Sequence, residues 1–168
     1  ECFPPIDIKW ESPTEVDSII IDIDDRFNYS YTNIVDDISG LRSKVIQLRI
    51  FSVQDKKGIA DIINTFSNIE TKCLEVIFPN KEDINAEFIK EIIDRNSRIT
   101  TLIITDSPSK ELSNYKQATV RYTTDIITNE SHCGIINKAY FGCQLNTYCE
   151  SQILNTCLNH KLSIDMKG

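Results

Sequence analysis

Apolar residues fall in two alternating rhythms along this chain. Short runs rich in Ile, Val and Leu occur at Val16–Asp24, Val45–Phe51, Cys73–Pro79, Thr100–Asp106 and Ala118–Thr124. Each is bounded by Asp, Asn, Ser or Pro, and β-branched residues favour strands, so these runs predict five strands. Between the first four lie segments with helical spacing. Ile34, Ile38 and Leu41 fall on one stripe of 33–43, and Ile59, Ile62, Ile63, Phe66 and Ile69 on one stripe of 57–69. Phe88, Ile89, Ile92 and Ile93 do the same within 84–96. Such spacing puts the apolar side chains on one helix face.

Strand, helix and strand in succession predict parallel pairing, because a parallel connection needs a crossover element. The expected fold class is α/β: a partial (β/α) barrel or an open, mostly parallel sheet of repeated strand-helix units. The first four strand centres lie about 27–28 residues apart, a period shared with leucine-rich repeats. The LxxLxLxxN signature is missing and the helices are full amphipathic ones, so a barrel fragment or open sheet is the preferred arrangement.

The rhythm stops near residue 125. From Ser131 to Cys157 the chain turns to Asn, Thr, Ser, Tyr and Cys, with four of the six cysteines at 133, 143, 149 and 157. Lys161–Asp165 then reads as a short strand. The expected division is therefore 1–125 for the strand-helix domain and 126–168 for an irregular, cysteine-containing segment. The chain opens on Glu1 and stops at Gly168 in a strand-turn pattern, which suggests a fragment of a longer protein.

Charge and composition narrow the function. Eighteen Lys and Arg against 25 Asp and Glu leave a net charge of −7, which disfavours a nucleic-acid partner, since neutralising cations carry that binding. The acidic balance predicts faster association with a basic partner at low salt. No apolar run approaches the length that spans a bilayer, and no signal peptide opens the chain. No glycine-rich phosphate loop occurs among the five glycines.

Two sets of residues are candidates for chemistry. Asp22 and Asp24 end the first strand, and in parallel α/β folds ligands bind at the strand C-termini. A carboxylate there suits a metal or a peptide amine; a solvated strand end or helix cap is the plainer alternative. The late cysteines, with His132 and His160 nearby, offer soft or borderline metal ligands. Their spacings are CX9C, CX5C and CX7C, without a CxxC pair, so packed or free thiols compete with a metal site. Cys73 opens a strand and reads as a buried small hydrophobe.

The stretch His132-Cys-Gly-Ile-Ile-Asn137, Phe141, Glu150-Ser151 and Asn155 to Asp165 followed by Gly168 resembles the SPASM-domain peptide maturases of the grasp-with-spasm systems. Trp10-Glu-Ser-Pro13, the Ile19–Ile23 strand and Ile103–Pro108 resemble the same family, so the likeness covers nearly all of the chain and implies the middle of a longer protein. Cys157 and Gly168, separated by ten residues, match the opening of a SPASM motif, whose further cysteines would lie past Gly168. The resemblance implies cytoplasmic maturation of a ribosomally made precursor peptide beside an ATP-grasp ligase. It also implies an iron–sulfur cluster in the full-length protein, with Cys157, together with Cys133, among its ligands. The CX3CX2C motif of radical S-adenosylmethionine chemistry is missing from the chain, and without it nothing here ligates the reducing cluster. A non-catalytic module that docks the precursor peptide or a partner protein is therefore the alternative to a maturation enzyme.

Overall fold

A computed structural model describes residues 16–24, 30–52, 55–129 and 159–167. Among them, seven strands form one sheet and three helices accompany it. In chain order these are β1 (Ser18–Ile23), α1 (Tyr31–Ser39), β2 (Val45–Ile50), α2 (Lys56–Phe66), β3 (Cys73–Pro79), α3 (Ala86–Arg95) and β4 (Ile99–Thr105). Then follow β5 (Glu111–Tyr115), β6 (Ala118–Tyr122) and β7 (Lys161–Ile164).

The sheet order is β5-β6-β4-β3-β2-β1-β7. All neighbours pair in parallel except β5 with β6. The sheet has two edges, so it is the open form of the expected α/β architecture. Its repeat is regular: Ser18 stands opposite Val45, and Val45 opposite Cys73.

Because β1 to β4 are laid down side by side in one direction, right-handed crossovers put their helices on one face of the sheet. Strand alternation fills that face with Ile19, Ile21 and Ile23, then Ile46, Leu48 and Ile50, Leu74, Val76 and Phe78, and finally Leu102 and Ile104. Against these lie Ile34 and Ile38 of α1, Ile59, Ile62, Ile63 and Phe66 of α2, and Phe88, Ile89, Ile92 and Ile93 of α3. The Tyr31 and Phe66 rings meet at 6.4 Å with a 58° tilt, within the range of favourable aromatic pairs.

Helix starts follow local chemistry. The Asp55 carboxylate accepts from the Gly58 N–H at 2.8 Å, and the Asn85 side chain accepts from the Phe88 N–H at 2.9 Å. Each satisfies one of the amides that a helix leaves unpaired at its N-terminus.

Two features depart from the sequence reading. The link after β4 contains a strand, β5, which returns antiparallel on the far side of β6 and leaves β6 parallel to β4. The two residues between Tyr115 and Ala118 make the hairpin loop, and Lys116 takes the positive φ of 52° that primed turns require. Cys73 is half-buried rather than buried, because alternation in β3 turns it away from the helices. β7, drawn from the segment after 125, pairs with β1.

Candidate functional site

Among the described residues the helices lie on one face of the sheet, and register organises the other, the helix-free face. One row runs Ile20, Gln47, Glu75, Thr101, Thr119 and Asn114 across successive strands. Within it Gln47 Nε2 donates to Glu75 Oε2 at 2.9 Å, and Thr119 Oγ1 and Asn114 Oδ1 are 3.1 Å apart. The next row runs Asp22, Arg49, Ile77, Ile103, Arg121 and Leu112.

That second row changes character along its length. At one end Asp22 and Arg49 are buried and joined in a two-point pair: Arg49 Nε donates to Asp22 Oδ1 at 2.5 Å and Nη2 to Oδ2 at 2.7 Å. Fork-to-fork geometry of this kind is the strong form of a charged hydrogen bond. The Arg49 guanidinium carbon lies 5.9 Å from the centre of the Phe51 ring, two residues along the same strand face. At the other end Arg121 is exposed and Leu112 is 69% exposed, on the outermost strand.

Asp22 and Asp24 stand where the sequence placed them, at the C-terminal end of β1, and both are buried. Each Asp22 oxygen accepts from Arg49. The sequence reading missed Arg49, although the signal was present: Asp22 and Arg49 are 27 residues apart, one step of the strand repeat. Along the same sheet edge, Asp106 N–H donates to Asp125 O at 2.9 Å, Ser107 N–H to Thr123 O at 2.9 Å, and Thr123 Oγ1 to Asp125 Oδ2 at 2.6 Å. Cys133 and Cys157, the candidate cluster ligands, lie outside the described residues.

The β5 edge is the second component. A two-residue hairpin pairs its flanking residues through both N–H···O bonds, and hydrogen-bonded and non-hydrogen-bonded pairs then alternate. Counting from the Tyr115–Ala118 pair, Glu111, Ser113 and Tyr115 direct their backbone groups to β6, while Leu112 and Asn114 direct theirs outward. The edge therefore offers two N–H and C=O pairs in strand geometry, beside an exposed leucine. On the helix side, Tyr115 Oη donates to Asp94 Oδ2 at 3.3 Å, which ties the hairpin to α3. Burial lifts the Tyr122 hydroxyl above its ordinary pKa, and Glu111 opposite it adds to the effect.

Comparison with known proteins finds no family model, no curated protein and no solved structure that matches this chain. No helix among the described residues is long and apolar enough to cross a membrane.

Proposed function

We propose that this region is a peptide-binding scaffold of a peptide-maturation protein, taking an extended precursor peptide as an added strand on β5. The carrying observation is the outward pair of backbone amides at Leu112 and Asn114 on an exposed edge strand. Strand addition draws affinity from main-chain hydrogen bonds, and alternate side chains supply specificity. Leu112 and Asn114 share the helix-free face with Arg121 and Thr119, so a peptide on this edge extends both rows of that face. The resemblance to grasp-with-spasm maturases supplies the context: a ribosomally made precursor, an ATP-grasp ligase as partner and a cytoplasmic setting. An iron–sulfur cluster held by Cys157 and Cys133 belongs to the same proposal for the longer protein, and anaerobic iron and sulfide analysis of wild type and Cys157→Ala tests it separately.

The test is hydrogen exchange with synthetic extended peptides of β-branched and polar residues in alternation. Such a peptide is expected to slow exchange at Leu112 and Asn114. Leu112→Pro removes an outward donor only, so it is expected to abolish the protection while leaving the circular dichroism spectrum unchanged. Equal peptide affinity in wild type and Leu112→Pro would overturn the strand-addition reading.

A further inference from the structure

The opposite edge of the sheet, where chains enter the parallel strands, has its own chemistry. The residues directly before β2, β3 and β4 are Lys44, Lys72 and Arg98. Register makes their backbones neighbours: Cys73 N–H donates to Lys44 O at 3.1 Å and Leu74 N–H to Arg98 O at 2.8 Å. Arg42 joins them from the α1–β2 loop, at a positive φ of 47° that bulky residues seldom adopt. These four cations, with Ser43 and Glu70, line an open cleft of about 430 Å³.

The plain explanation for cations here is the helix C-termini, whose carbonyls face this edge and favour positive charge. It accounts for only part of the set. Arg98 Nη1 donates to the Ser67 carbonyl just past α2 at 2.5 Å, and Lys44 Nζ pairs with Asp17 at 2.7 Å. Other terminal carbonyls are met from within the turns. Ile38 O accepts from Leu41 N–H, Asn64 O from Ser67 N–H, and Ile92 O and Ile93 O from Asn96 N–H. Arg42 and Lys72 serve no such carbonyl. With Glu70 and Asp17 counted, the cleft keeps an excess of two positive charges in a chain of net charge −7.

A second observation is independent of charge. Among the described residues, two buried side-chain polar atoms lack a hydrogen-bond partner, Ser43 Oγ and Asn96 Nδ2. Both belong to loops on this edge, and Ser43, only 3% exposed, is part of the cleft wall. Buried polar groups are ordinarily satisfied, and an orphan points to a bound partner such as an ion or a water. Among the described residues this hydroxyl has no acceptor, so its hydrogen remains available to a bound group.

We propose that the cleft binds an oxyanion group, a carboxylate or a phosphate, with Arg42 and Lys72 as its principal cations and Ser43 beneath it. Guanidinium and ammonium donors suit both groups. The cleft has the size of small-molecule sites, which points to an anionic group carried on a larger molecule. This proposal does not rest on strand addition at β5, which lies on another edge.

The test is an amide resonance titration with two probes used separately: inorganic phosphate, and a short glutamate peptide blocked at both ends. Binding is expected to shift Ser43, Thr71 and Lys72 and to weaken as salt rises. The double variant R42E/K72E, both at exposed positions, is expected to bind at least about tenfold more weakly, with an unchanged circular dichroism spectrum. Ser43→Ala is expected to weaken binding by less. Response to phosphate alone, to the peptide alone, or to both supports the proposal and identifies the source of the oxyanion. Failure of both probes to shift these residues, or undiminished affinity in R42E/K72E, would overturn it.

Discussion

Replacing one member of the buried Asp22–Arg49 pair is more damaging than replacing both. Their side chains are 2% and 8% exposed. Taking two charges from water is costly, and the pair offsets that cost through mutual attraction and two short hydrogen bonds. Arg49→Met leaves the Asp22 charge buried and alone, with an expected loss of about 3–5 kcal/mol. Asp22→Leu in the same background removes the stranded charge and is expected to restore most of the stability. Urea unfolding of the two variants and wild type checks this; a double variant no more stable than Arg49→Met would refute the account. Asp22 was recognisable in the sequence as a strand-end carboxylate. Its partner was harder to see, because pairing depends on the register between two strands, and register emerges only when both are placed in one sheet.

Elements were most legible where burial is one-sided. Each helix carries its apolar stripe at i, i+3 and i+4, and the core takes up those residues: Ile59, Ile62, Ile63 and Phe66 in α2, for instance. β5 escaped because its five residues, Glu-Leu-Ser-Asn-Tyr, carry no apolar alternation; its one aliphatic side chain points away from the core. β6 anchors the hairpin through Ala118 and Val120 in the core, and polar contacts at the turn add to this. Lys116 Nζ reaches Asp94 on α3 at 2.6 Å, and the lysine and tyrosine of the turn both engage the same carboxylate. The Lys116 hydrogen bond, then its charge, holds the Asp94 carboxyl below its ordinary pKa of 3.8, while Asp94 raises Lys116 above 10.5. A lowered acid stabilises above its unfolded pKa and is lost as pH falls through the native one. A raised base stabilises below its unfolded pKa and is lost as pH rises through the native one. The pair therefore contributes in full from about pH 3.8 to 10.5. In a carboxyl-carbon titration, Lys116→Met is expected to move the Asp94 midpoint up toward the ordinary value. It should stop short of it, because the Tyr115 hydroxyl and Lys90 remain. An unmoved midpoint would mean the ion pair does not persist in solution.

At the scale of the whole molecule, strand order predicts a stability graded across the sheet. The 27- to 28-residue step between β1, β2 and β3 was visible in the sequence and is why the parallel α/β class could be read. The order of the remaining strands was not visible, since β7 reaches β1 across a long intervening stretch that carries no periodic signal. That order leaves β3 flanked on both sides, with Leu74, Val76 and Phe78 at no more than 1% exposure, while β5 and β7 are the edges. Local opening draws on regions with few buried apolar contacts, and global unfolding governs the core. Native-state hydrogen exchange should then show β3 amides exchanging only by global unfolding and the outer strands by smaller openings. Phe78→Ala sharpens the test, because it removes a fully buried ring at an expected cost of about 3–5 kcal/mol. That loss should appear in full at β2, β3 and β4, yet leave the opening energy at β5 nearly unchanged. If β5 and β3 instead lost protection together, the sheet would be one cooperative unit rather than a graded one.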